Sequence, residues 1–224
     1  MTTYFDRTAA AAWAKLTSNE PVGRIRATVR AGREAMRLQL LDWLPADLSG
    51  YRVLDAGCGP GVLSAELARR GARVVAVDVS PTLIGLAGQR LPAELSGKVE
   101  FRAGDMLDPA HGEFDIVVAM DSMIHYERRD IVRMLAEFAG RTRHAIVTTF
   151  APRTPALAVM HFAGRLIPHR EHRAPAIQPV AERSLVGAIG ASAALAGWRV
   201  AASERISTGF YTSQGLCLEH ACGD

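Results

Sequence analysis

Hydrophobic and polar positions change period several times along this chain, and the changes mark its elements. Tyr4 to Leu16 is alanine-rich, has Asp6 or Thr8 in capping position, and predicts a first helix. Ser18, Asn19 and Pro21 break it. Val22 to Leu44 predicts a longer amphipathic helix: Ile25, Val29, Met36, Leu40 and Leu44 fall near one face, with arginines between them. Pro45 and Gly50 end that segment. From Tyr51 onward, short apolar runs alternate with helix-spaced stretches. The predicted strands are Arg52 to Leu54 (stopped by Asp55), Arg73 to Val77 (closed by Asp78), Val99 to Ala103, Phe114 to Met120 and His144 to Phe150. The helices between them are Val62 to Arg70, Pro81 to Gln89 behind the cap Ser80, and Arg128 to Gly140. Strand–helix alternation of this kind predicts an α/β domain, a parallel sheet covered by helices on both faces.

Ala151 to Pro179 departs from the pattern. It carries five prolines and contains a short predicted helix, Leu157 to Leu166. Residues 151–179 therefore read as an insertion beside the sheet, on the substrate side. Ala181 to Leu195 predicts a helix. Gly197 to Ile206 and Gly209 to Leu218 predict two strands with only Ser207 and Thr208 between them, which requires an antiparallel hairpin. A mostly parallel seven-stranded sheet closed by an antiparallel hairpin is the Rossmann-like arrangement of class I methyltransferases, not that of the all-parallel dehydrogenases. The predicted organisation is helical arms or a lid over 1–48 and a core over 49–224.

The candidate chemistry gathers at the carboxyl ends of the strands, where open α/β sheets bind ligands. Asp55-Ala-Gly57-Cys58-Gly59-Pro-Gly61 joins the first strand to a helix through a turn of little side-chain bulk. Cys58 reads as a small buried residue of that turn, grouped with the glycines in the cofactor site. Asp78 ends the second strand, 19 residues after Gly59, in position to accept from ribose hydroxyls, with Val79 beside it. Asp105-Met106 follows the third strand and suits an adenine, the acid taking the amino group and Met106 the ring. Asp121 follows the fourth. An acid at the head of the glycine turn is poor beside a pyrophosphate but suits an ammonium group. The set Asp55, Gly57, Cys58, Gly59, Gly61, Asp78, Val79, Asp105, Met106 and Asp121 thus favours S-adenosylmethionine over a nicotinamide dinucleotide.

Composition adds bounds. The 224 residues suit one elaborated α/β domain, and 49% hydrophobic residues can bury its core. No apolar run reaches transmembrane length and the start lacks a signal core, so a cytoplasmic protein is expected. Cys58, Cys217 and Cys222 lack metal-ligand spacing and fit a reducing compartment. A net charge of +3 is too small to argue for nucleic acid. The basic residues are nonetheless clustered, Arg24, Arg26, Arg30, Arg33 and Arg37 in one segment and Arg153, Arg165, His169, Arg170, His172 and Arg173 in another. Each cluster is either a solvated face or a surface for an anionic substrate or membrane.

Val53 to Val62 resembles the first motif of class I S-adenosylmethionine-dependent methyltransferases, and Val75-Ala-Val-Asp-Val-Ser80 the second-strand motif. More specific segments narrow this: Tyr4-Phe-Asp-Arg-Thr, Arg30-Ala-Gly-Arg33, Met120-Asp-Ser-Met-Ile-His-Tyr126, Thr149-Phe-Ala-Pro-Arg-Thr154 and Gly209-Phe-Tyr-Thr-Ser-Gln214. Together they resemble the magnesium-protoporphyrin IX O-methyltransferase family of bacteriochlorophyll synthesis, in its purple-bacterial form, over nearly the whole chain. The resemblance implies methyl transfer from S-adenosylmethionine to a propionate carboxylate of magnesium-protoporphyrin IX. It implies that magnesium belongs to the porphyrin, and the sequence shows no carboxylate cage for a metal of the protein's own. His125 is the expected catalytic residue, either taking a proton or orienting the carboxylate. Tyr4, Trp13, Arg30, Arg33, Tyr126 and Arg153 are the expected porphyrin contacts. The tyrosine that some family members carry near the end of the first helix is Thr17 here, so that role does not carry over. The magnesium chelatase large subunit and the surface of the photosynthetic membrane are the expected partners.

Overall fold

The computed structural model describes residues 24–153 and 177–221. The first predicted helix, with Tyr4, Trp13 and Thr17, lies outside the described residues, as do Leu157 to Leu166 and the basic residues from Arg165 to Arg173. The first element is α1 (Arg24–Asp42), followed by β1 (Arg52–Ala56), α2 (Val62–Arg69), β2 (Arg73–Asp78), α3 (Pro81–Arg90) and β3 (Val99–Ala103). Next come β4 (Phe114–Ala119), α4 (Arg128–Ala139), β5 (Thr142–Phe150), α5 (Glu182–Gly190), β6 (Trp198–Thr208) and β7 (Tyr211–His220). They form a seven-stranded sheet of order β3-β2-β1-β4-β5-β7-β6. β1 pairs in parallel with β2 and β4, and β7 lies antiparallel between β5 and β6.

Helices cover both faces. Val53, Ala76, Ile116 and Val147 pack under Met36 and Leu40 of α1 and Leu63 and Leu67 of α2. Their chain neighbours Leu54, Val75, Val117 and Ile146 point the other way, against Ile131, Leu135 and Phe138 of α4 and Leu185 of α5. Burial on both faces explains why these strands read as continuous apolar runs. α3 starts where Pro81 stands in its first turn and the Ser80 hydroxyl accepts from the Leu83 amide at 3.3 Å.

Four details differ from the sequence reading. β1 does not stop at Asp55: the residue pairs with Ala76 and Val118 inside the sheet, and the Ser64 hydroxyl donates to its carboxylate at 2.5 Å. A buried acid is tolerated in a strand when a partner is supplied. The hairpin turn is Gly209-Phe210, two residues later than expected, leaving Ser207 and Thr208 paired with Thr212 and Tyr211. Gly209 has φ 56, as the first position of a tight hairpin turn requires, and β-branched Thr208 is better placed in a strand. The helix predicted to Leu195 ends at Gly190 and resumes only as a 3-10 turn over Ala193–Leu195. Ile25 is 56% exposed, whereas Met36, Leu40 and Leu44 of the same predicted face are buried. The hairpin tip reaches only to Thr28, against which Gly209 packs, so Ile25 lies one turn beyond the surface that buries the rest.

Candidate active site

A cavity of about 820 Å³ opens at the carboxyl ends of β1, β2, β3 and β4. One wall begins with the glycine turn. The Gly57 and Cys58 amides both donate to the Val77 carbonyl, at 2.8 and 3.0 Å, which stitches the turn to β2. Gly57 has φ 83, and a Cβ there would lie 2.5 Å from the Ser122 Cβ, so no other residue fits without displacement. Asp78 completes the stitching, accepting from the Gly59 amide and the Ser80 amide at 2.9 Å each. A carboxylate has about four lone-pair positions, so these bonds leave acceptors for a diol.

Asp55, Gly57, Cys58, Gly59, Asp78, Val79, Asp105, Met106 and Asp121 all line the cavity. Gly61 is the one cofactor candidate not among the lining residues; it starts α2 at φ 76 and packs against Ala87 and Phe101. Burial pushes the Asp55 carboxyl up to about 7, the Asp78 charge adds to the rise, and the Ser64 bond opposes it. Burial also raises Asp78, opposed by its two amide bonds. The Cys58 thiol is driven up mainly by burial, with the Asp55 and Asp78 charges adding, which fits an inert small residue of the turn. Asp105 caps its own loop through the Leu107 amide at 2.9 Å, and Arg141 donates to the Met106 carbonyl at 2.7 Å. The Asp105-Met106 loop is thereby held at two points.

The opposite wall is a helix face. Arg30, Arg33, Glu34 and Arg37 of α1 follow one another at helical spacing and all line the cavity. Glu34 and Arg37 form an ion pair at 2.6 Å. Arg33 Nε donates to an Asp121 carboxylate oxygen at 2.8 Å, and the Tyr211 hydroxyl donates to the other oxygen at 3.2 Å. His125 and Tyr126 line the same cavity. Burial raises the Tyr126 phenol, the Asp105 charge adding, so it stays a neutral donor near neutral pH. Arg153 is not brought to this cavity; it lines a smaller one of about 340 Å³ with Glu127, Arg128, Gln178 and Ser184.

Glu34 and Ser122 line the site but were not singled out from the sequence, and Arg37, named there only as part of the basic cluster, lines it too. Glu34 was legible, one helical turn from Arg30 and Arg37. Nothing local distinguishes Ser122; its place follows from the packing of Gly57.

The glycine turn of little side-chain bulk and the acids at successive strand ends suit a cationic, phosphate-free adenosyl cofactor. With this sheet order they define a class I S-adenosylmethionine-dependent methyltransferase. A family model described as magnesium-protoporphyrin IX methyltransferase C-terminus matches residues 119–220, and a general methyltransferase-domain model matches residues 53–144. A magnesium-protoporphyrin O-methyltransferase of Rhodobacter capsulatus is 51% identical over 97% of this chain and 93% of its own length. Its counterpart in Synechocystis is 30% identical over 95% of this chain and 92% of its own. The crystal structure of the Synechocystis magnesium protoporphyrin IX methyltransferase with bound SAH superposes with a TM-score of 0.84, at 28% identity, over 98% of this chain and 97% of that one. The chain belongs to the magnesium-protoporphyrin O-methyltransferase family.

Proposed function

We infer that this protein transfers a methyl group from S-adenosylmethionine to a propionate carboxylate of magnesium-protoporphyrin IX, giving the monomethyl ester and S-adenosylhomocysteine. The observation that carries the reading is a single cavity with acids at the strand ends on one wall and the arginine face of α1 on the other. This polarity suits a cationic methyl donor and an anionic acceptor meeting inside one space.

When bound, S-adenosylmethionine supplies a methyl on a cationic sulfonium, which a carboxylate oxygen attacks in line as the carbon–sulfur pair returns to sulfur. A carboxylate is already ionised near neutral pH, with a model value near 4, so the protein's task is mainly alignment. We assign Asp55 to the donor's ammonium group, Asp78 and Val79 to its ribose, and Asp105 with Met106 to its adenine. Arg30 and Arg33 hold a propionate, and Tyr126 borders the ring. His125 lines the same cavity and either orients the attacking carboxylate or takes its proton on arrival. Residues 1–48 act as helical arms over the core of 49–224, a reading supported by the cavity wall that α1 forms. Tyr4, Trp13 and most of 151–179 are proposed to border the porphyrin, but lie outside the described residues.

Magnesium arrives with the porphyrin. Among the described residues there is no group of three His, Cys, Asp or Glu able to hold a metal ion. The described helices include none long and apolar enough to cross a membrane. Direct transfer from the magnesium chelatase large subunit, and peripheral contact with the photosynthetic membrane from the cytoplasmic side, are proposed because the porphyrin is poorly soluble. Incubation with S-adenosylmethionine and magnesium-protoporphyrin IX, followed by chromatography, is expected to yield the monomethyl ester. Binding of S-adenosylhomocysteine with no ester from any porphyrin would leave an O-methyltransferase of another small acid, phenol or quinone, or a non-catalytic cofactor-binding module.

A further inference from the structure

Four segments far apart in sequence meet at Asp121. Arg33 of α1 donates to its carboxylate through Nε at 2.8 Å, and Tyr211 at the start of β7 donates from its hydroxyl at 3.2 Å. The Asp121 amide donates to the hydroxyl of Thr149, in β5, at 2.7 Å. Asp121 itself is buried, and is the one non-glycine residue with positive φ among the described residues, at 56°. Aspartate tolerates that region better than most side chains, yet holding it there needs local support. The bonds just named supply it. Gly32 adds to the closeness: a Cβ at this position would lie 2.5 Å from the Tyr211 ring, so only glycine lets α1 settle onto the ring next to Arg33.

We propose that Asp121 is a positioning residue, a clamp that fixes the Arg33 guanidinium against the acceptor side of the cavity and anchors the segment leading to His125, rather than a ligand of the methyl donor. Both carboxylate oxygens are engaged by protein donors, which leaves Asp121 unlike Asp78, which accepts from the amides of its own loop and of the glycine turn. A guanidinium is planar and rigid, so a bond to Nε sets the plane in which its remaining N–H groups lie. The left-handed turn at Asp121 also redirects the chain out of β4, so that Ser122, His125 and Tyr126 border the same cavity. One residue thereby sets the spacing between the cationic wall and His125. The proposal rests on the reading of Arg33 as a propionate contact.

The test uses the full-length protein with two readouts: steady-state kinetics with magnesium-protoporphyrin IX, and calorimetric titration with S-adenosylhomocysteine. Asp121→Asn keeps size and tolerance of the left-handed turn but removes the charge. It is expected to raise the porphyrin KM about tenfold, as loss of a charge-assisted bond does, with S-adenosylhomocysteine affinity within about twofold. Arg33→Gln is expected to match it, and the double variant to be no worse than either single one, because the two act as a unit. Tyr211→Phe removes only one hydroxyl and is expected to raise KM about threefold, again sparing the nucleoside. Weakened nucleoside binding with an unchanged porphyrin KM in Asp121→Asn would make it a cofactor ligand and overturn the clamp. Multiplied effects in the double variant would overturn it too. A raised KM in Arg33→Gln beside an unchanged one in Asp121→Asn defeats the clamp alone. An unchanged KM in Arg33→Gln defeats the substrate reading of Arg33 and the clamp with it.

Discussion

The two walls of the cavity are built in different ways. On the proposed donor side each candidate sits near the end of its own strand or in the loop that follows: Asp55 inside β1 with the glycine turn after it, Asp78 at the end of β2 with Val79 next, and Asp105 and Met106 after β3. Their stabilising bonds are short-range in space and mostly between neighbouring strands, such as Gly57 and Cys58 to Val77 and Gly59 to Asp78. On the proposed acceptor side the wall is a helix that precedes the sheet, bonded through Arg33 to Asp121 after β4, which Thr149 in β5 and Tyr211 in β7 hold in turn. A donor site made of consecutive strand ends comes with the fold itself. An acceptor site pinned by long-range contacts can change substrate without disturbing the donor, which is why fold alone does not fix the acceptor.

The largest effect is expected where the walls touch. Gly57→Ala would place a methyl group on Ser122 in a left-handed backbone, costing about 3 kcal/mol from the two penalties together. A fall of roughly 6–12 °C in Tm follows. Scanning calorimetry checks this, and an unchanged Tm would mean that the walls are not in contact there. His125→Ala should lower kcat about 100-fold while leaving S-adenosylhomocysteine affinity within a factor of about two. An equal kcat would remove His125 from the mechanism and leave the acceptor wall with binding residues only.

The donor wall carries a pH signature. Asp55 is pushed up to about 7 in the folded protein, from about 4 in an unfolded chain. The folded state therefore binds the extra proton, and the stability this group adds is full below about pH 4 and lost as pH rises through about 7. An ammonium group beside Asp55 favours its ionised form. Donor affinity should then tighten by roughly tenfold between pH 6 and 7.5, and the dependence should flatten in Asp55→Asn. Equal pH profiles for the two proteins would detach Asp55 from the ammonium. The smallest effect is expected at Arg153, which lines a separate cavity. Arg153→Gln should change the porphyrin KM less than about twofold, the range of a screened surface charge. A rise like that of Arg33→Gln would return it to the acceptor site.

Legibility followed the same division. The acids at Asp55, Asp78 and Asp105 could be picked out because strand ends and glycine turns leave local marks in sequence. Asp121 was picked out for the same reason, but its partners Arg33, Thr149 and Tyr211 are 88, 28 and 90 residues away, and no local pattern links them. Their segments were legible as a basic helix and two strands, but not as neighbours of one another. The hairpin turn moved by two residues because Gly209 and Ser207 are both plausible turn residues by local propensity, and cross-strand pairing chose between them. Ile25 was assigned to a buried face because helical periodicity repeats along a helix, whereas the surface it packs on has an end.

The sequence by itself determined the alternation of strand and helix, the closing hairpin, the adenosyl type of the donor site and the family, because periodicity, glycine spacing and motif chemistry are written over short distances. Tertiary structure decided which arginines face the cavity, where Arg153 goes, and what Asp121 holds. Those outcomes depend on contacts between residues far apart in the chain, and such contacts exist only once α1 has packed across the folded sheet.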